Sequence, residues 1–292
     1  MLLLKGESLN SGEDNQALPG KIKFKVFKVD KYNEIIRIMM GSKVNGRVLY
    51  SVAGYLIDGL LIDSGCHNTR WKLVNYLATQ NISFVVNTHH HVDHIGGNKV
   101  IMEELKVNVF APKKSLPIIA NRQNIFSYQE ELRGCPEPCQ VKALGDTIDT
   151  THYSFQVVQT SGHSRDHVVF FLRERGWLFT GDEFITENPN CARKNEDNEW
   201  VVKALKKMLA LDPELLITSA GTIYQNGSAV LSRTIAYFEE IKERVHTMKK
   251  SGLTSQEIGL KLFGEETSLK EFTGGQFSRQ NFIEGFLISN GN

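Results

Sequence analysis

From residue 89 to residue 97 the chain reads HHHVDHIGG, which places His89, His90, His91, Asp93 and His94 within six residues. Imidazole and carboxylate are the side chains that hold zinc-type divalent metals, and imidazole also carries protons near neutral pH. A single histidine is ordinarily a core or surface residue. Four histidines and an aspartate directly after an apolar strand need another explanation. On extended backbone His89, His91 and Asp93 project to one side, while His94 points elsewhere and His90 points away. Gly96 and Gly97 then let the chain turn into a helix. One short loop would thus offer ligands in two directions, as two adjacent metal ions require. The same residue types recur at two later positions, His163 and His167 in SGHSRDH and Asp182 at the end of WLFTGD.

Each cluster follows a strand, and strand ends on a rigid scaffold are where α/β proteins place ligand sites. Strands are expected at 23–29, 34–41, 48–57, 59–65, 83–88, 107–112, 155–160, 168–174, 177–182 and 214–221, from short apolar runs bounded by Gly, Asp and Asn. Helical spacing is expected over 68–81, 99–105 and 201–211, with a mixed stretch over 114–132 broken at Pro117. Hairpin-spaced strands beside strand–helix units give an α/β chain with mixed sheets. After Gly227 the pattern becomes helical. Residues 228–252 form a long amphipathic helix, 253–264 follow a Thr254 or Ser255 start signal with Glu257, and 278–290 make a third helix. The expected organisation is a polar N-terminal lead-in over 1–20, a main domain over 21–227 and a helical subdomain over 228–292.

THHHVDHIGG carries His-x-His-x-Asp-His and resembles the signature of the metallo-β-lactamase superfamily. GHSRDH resembles its second motif, FTGDEF its third, and IDSG at 62–65 its early Asp-x-Gly strand end. The resemblance spans roughly residues 22–225, and within the superfamily it leans toward the hydroxyacylglutathione hydrolase and lactamase-β-like branch. It implies an αββα sandwich with a dinuclear metal site. Carried over, His89, His91 and His163 bind a first metal, Asp93 and His94 a second, and Asp182 bridges them. Asp63 would orient a ligand, and His167 would open a strand beside the site. Zinc is the first expectation, one ion or two, with iron and manganese compatible with the same donors. Metal-bound hydroxide would attack the substrate, with Asp93 orienting it or handling a proton.

The sequence departs from the family pattern at one point. The last sandwich strand should end in one more histidine for the second metal. Here it reads LLITSAGTIY, and Ala220 stands at that position. After Asp182 the only histidine is His246, in the helical tail. The departure leaves three readings. The protein works with one tight metal, His167 or another group fills the gap, or the fold binds without catalysis.

The bulk numbers set the substrate class. Lys and Arg number 34 against 33 Asp and Glu, so no overall field favours nucleic acid or an anionic membrane. A small-molecule ester, thioester or lactone is therefore expected first, and a phosphodiester of nucleic acid second. Basic clusters such as Arg193-Lys194 interleave with Glu196, Asp197 and Glu199 and read as solvated helix faces. Met1–Leu4 is too short an apolar run for a signal-peptide core or a membrane span, so a cytoplasmic protein is expected. The four cysteines make no disulfide framework. Cys135 and Cys139 in a Pro-rich loop read as ordinary thiols. The helical tail is compatible with a homodimer.

Overall fold

The computed structural model describes residues 24–44 and 47–288. The lead-in expected over 1–20 lies outside them. No helix among the described residues is long and apolar enough to cross a membrane. The chain divides into two compact units. Unit 1 is Met1–Ser154 with Ser219–Gly221, and unit 2 is Phe155–Thr218 with Thr222–Asn292.

Unit 1 carries strands β1 (Phe24–Tyr32), β2 (Ile35–Val44), β3 (Arg47–Ile57), β4 (Leu60–Ile62), β5 (Phe84–Val86), β6 (Asn108–Ala111), β7 (Lys142–Ala143) and β8 (Thr147–Asp149), with helices α1 (Arg70–Leu77), α2 (Asn98–Leu105), α3 (Leu116–Ile119) and α4 (Ser127–Arg133). Strands β1 to β7 form one sheet in sequence order. The first four pair antiparallel and the rest parallel. The change has a covalent cause. Asp58 and Gly59 both have positive φ, the geometry of a two-residue hairpin loop, and join β3 to β4 directly. From β4 onward, α1 and α2 fill the crossovers that parallel strands require. Helix α1 is shorter than the expected 68–81, because His67–Thr69 wind as a tighter turn before it.

Unit 2 carries strands β9 (Ser154–Gln159), β10 (Val168–Leu172), β11 (Trp177–Gly181), β12 (Ala192–Arg193), β13 (Leu215–Thr218), β14 (Ile223–Gln225) and β15 (Phe277–Ser278). Its helices are α5 (Asn198–Leu209), α6 (Gly227–Lys250), α7 (Ser255–Phe263), α8 (Ser268–Phe272) and α9 (Arg279–Glu284). Strands β14, β13, β11, β10 and β9 lie side by side in one sheet, with β11 and β13 parallel around α5. Strands β10, β11 and β13 are buried along their whole length, as continuous apolar runs such as VVFFL demand. Val169, Phe171, Leu178 and Leu216 share one apolar cluster with Leu231 and Phe238 of α6 and Phe282 of α9. The boundary expected at residue 227 therefore falls inside unit 2, at the first residue of α6. The tail helices and the sheet share a core. Thr254 and Glu257 exchange side chain and backbone hydrogen bonds at the start of α7, as their spacing predicts. Strand β13 ends at Thr218 rather than 221, because Ser219–Gly221 leave it for unit 1, where the Ser219 carbonyl accepts from Ala53 N–H at 2.7 Å.

Candidate functional site

In unit 1, β5 delivers buried Asn87, Thr88 and His89. The chain then bends rather than running on extended, and the His94 N–H donates to the His91 carbonyl at 2.9 Å. Only His89 and His91 therefore follow the two-residue alternation, and His89 Nε2 lies 2.7 Å from His91 Nδ1. Asp93 is re-aimed by the turn. It accepts hydrogen bonds from the Tyr50 hydroxyl and, at 3.1 Å, from Arg133. The Arg133 guanidinium also lies over the Tyr50 ring, 4.5 Å from its centre. Burial alone would pull the Arg133 pKa down, but the Asp93 carboxylate holds it above the ordinary value.

His94 Nδ1 lies 2.7 Å from Asp63, whose carboxylate also accepts from the Thr88 N–H and hydroxyl at 2.8 and 2.9 Å. The Thr88 hydroxyl has one proton, given to Asp63. Its oxygen, 2.9 Å from His89 Nδ1, therefore accepts from that ring. This assigns the proton of His89 to Nδ1 and the lone pair to Nε2. Asn87 and Asn98 join side chain to side chain at 2.8 Å, and Asn87 donates to the His94 carbonyl, fixing the turn from behind. Gly96 is required by close approach rather than by φ, since a Cβ there would lie 2.1 Å from the His67 nitrogen. Ala220 is buried between Ser219 and Gly221, whose carbonyl accepts from Arg37. It offers no ligand atom.

In unit 2, Gly162 and His163 follow β9, and both backbone N–H groups donate to Glu183, at 3.1 and 3.0 Å. A Cβ on Gly162 would lie 2.0 Å from a Glu183 oxygen, so any larger residue there must push the Glu183 carboxylate aside. Burial raises the Glu183 pKa, and the hydrogen bonds it accepts offset only part of that. His163 Nε2 lies 3.4 Å from Asp182, and its Nδ1 lies 3.5 Å from Glu196. Burial pushes the Glu196 carboxyl up, but the His163 hydrogen bond and charge outweigh it and leave the group below its ordinary value. His167 is fully buried, and its Nε2 accepts from the Asp182 N–H at 3.2 Å. It steadies the backbone of Asp182. Cys135 and Cys139 are free thiols.

Four residues here carry structure that the sequence reading missed. Glu196 was expected on a solvated face and is instead largely buried against His163, because the Arg193 N–H also ties it inward at 3.0 Å. Glu183 had a cue, an acid next to Asp182 at the exit of an apolar strand. Tyr50 and Arg133 had none. Tyr50 is one residue of an ordinary strand, and Arg133 ends a helix whose sequence, SYQEELR, reads as surface.

The donor set suits a divalent metal. His89, His94 and His163 each have Nδ1 facing an oxygen, from Thr88, Asp63 and Glu196. In the neutral ring this leaves the lone pair on Nε2, the arrangement that supports metal-binding histidines. His89, His91, Asp93 and His94 in unit 1, and His163 and Asp182 in unit 2, are the groups of ligand type.

The sequence profile of the Metallo-beta-lactamase superfamily matches residues 49–220. A hydroxyacylglutathione hydrolase of Erythrobacter litoralis is 31% identical over 140 residues, 48% of each chain. An atrochrysone carboxyl ACP thioesterase of Aspergillus fumigatus is 27% identical over 201 residues, 66% of this chain and 57% of that protein. The matched stretch thus spans about half the length of these relatives. A metallo-beta-lactamase from Pontibacter korlensis superposes with a TM-score of 0.58 at 18% identity, over 73% of this chain and 99% of its own, which shows a shared fold. With the family profile covering more than half of its length, the chain belongs to the metallo-β-lactamase superfamily and has that superfamily's α/β fold and kinship with hydrolases.

Proposed function

We propose that the protein is a metal-dependent hydrolase acting on a small acyl compound, an ester, thioester or lactone, with thioesters first. The observation that carries this reading is the backing of His89 and His163 through Nδ1, which leaves Nε2 of each as a metal donor. The substrate class is supported by the relatives, one named for hydroxyacylglutathione hydrolysis and one a thioesterase.

His89 and His91 would be donors in unit 1 and His163 in unit 2, and Zn²⁺ suits imidazole donors best, with iron or manganese able to replace it. When bound, such an ion supplies Lewis acidity, polarising a carbonyl and acidifying water. Asp93, fixed by Tyr50 and Arg133, has acceptor capacity left to orient the attacking water. Asp182 sits beside His163 and completes the charge of the donor set. Hydrolysis adds water to the acyl carbon and breaks its bond to sulfur or oxygen, and the leaving group departs as thiol or alcohol.

The test is turnover of acyl thioesters and esters before chelation, after it, and after metal return. Turnover should vanish with chelator and return with Zn²⁺. Chelator-insensitive turnover would refute the reading. Metal binding with no turnover of any acyl compound would favour a member of the fold that binds without catalysis.

A further inference from the structure

Unit 1 contains a cation that the family signature does not provide for. Arg133 is 2% exposed, Asp93 1% and Tyr50 1%. A guanidinium does not lose its proton in a protein, so Arg133 is a permanent buried charge. Asp93 is the carboxylate that meets it, through Oδ1 at 3.1 Å, while Tyr50 donates to Oδ2. Each oxygen of Asp93 accepts one of these hydrogen bonds, and its negative charge is met by the Arg133 cation. A divalent ion on Asp93 would have to settle beside a fixed positive charge where solvent screens poorly.

A second observation points the same way. At the position of the family's last histidine stands Ala220, which has no donor. The carbonyls on either side of it are committed, Ser219 to Ala53 and Gly221 to Arg37. The second metal position therefore lacks one ligand and has another tied to a cation.

We propose that Arg133 takes the charge-balancing place of a second metal ion beside Asp93, so that the chain binds one ion rather than two, with His89 and His91 among its donors. This rests on the metal-dependent reading above. Arg133 and Tyr50 are then positioning residues. They hold the Asp93 carboxylate in place, a task that a second ion would otherwise share.

The experiment is a metal count. Metal-free protein is titrated with Zn²⁺ by calorimetry, and bound zinc is measured by elemental analysis after removal of the excess. One ion per chain is the expected result. Two ions of similar affinity overturn the role given to Arg133 and leave metal-dependent hydrolysis standing. No bound ion removes both. The same titration on Asp93→Asn locates the ion. Its affinity should fall by less than about 100-fold, the range of a lost supporting contact. A larger fall overturns the proposal by making Asp93 a direct ligand. If Asp93→Asn fails to fold, the count on the unaltered protein still decides.

Discussion

Unit 1 backs the turn from His89 to His94 with a buried cation on Asp93, whereas unit 2 backs the turn at His163 with the carboxylates of Glu183 and Glu196. The two supports do opposite things to the groups they touch. A carboxylate behind an imidazole draws the ring proton to one nitrogen and makes the other a better donor. A guanidinium on a carboxylate spends that carboxylate's charge and makes it a poorer ligand. Residues of ligand type are therefore not equivalent merely because they share a signature. What stands behind each one decides whether it holds a metal, orients a water or does neither.

The sharpest way to break this contrast is Arg133→Met. It strands the Asp93 carboxylate in a buried site, and breaking one side of such a pair costs about 3–5 kcal/mol. Denaturant unfolding measures it, and a loss under about 1 kcal/mol would mean that Asp93 does not depend on Arg133. In unit 2 the corresponding break is Gly162→Ala. The new methyl must displace Glu183 or the α5 backbone near Val201, so a loss of about 1–3 kcal/mol is expected. An unchanged unfolding midpoint would show that the turn has room to relax.

Glu196→Gln sharpens the contrast from the other side. It keeps the shape and removes the charge behind His163, so Zn²⁺ affinity should fall ~10–100-fold with little loss of fold stability. An unchanged affinity would separate Glu196 from the donor set. The smallest effect belongs to the half-exposed pair Asp30–Arg37, bonded at 2.8 Å. The Arg37 hydrogen bond holds the Asp30 pKa below its ordinary value. Stability from a depressed carboxyl is present above the unfolded pKa and lost as pH falls through the folded one. Asp30→Asn should therefore cost at most about 1 kcal/mol near neutral pH, and the gap from the unaltered protein should close below about pH 4. A gap that persists in acid would assign the effect to packing.

The sequence made the strands and the donors legible to different depths. Apolar runs such as FVV and WLFTG announced buried strands, and the histidines after them announced side chains of ligand type, because both signals are local. The direction of Asp93 was not local. It depends on a hydrogen-bonded turn and on partners at 50 and 133, one on a strand and one at a helix end. Glu196 was hidden for a related reason. Its neighbours Lys194 and Asp197 are charged, and nothing in that run tells a buried acid from a solvated one. The shortened β13 was hidden because Ser219 leaves the strand for an acceptor role toward Ala53, far back in the chain.

That departure has a consequence for how the molecule is made. Unit 1 is not finished by its first stretch of chain, since Arg37 waits for a carbonyl 184 positions later. At a synthesis rate of about 5–20 residues per second, the chain from residue 154 to residue 221 takes roughly 3–15 seconds to appear. Through that interval Arg37 and Ala53 stand without their closing segment, so the unit begun first at the ribosome cannot be completed until nearly half of the other has been made.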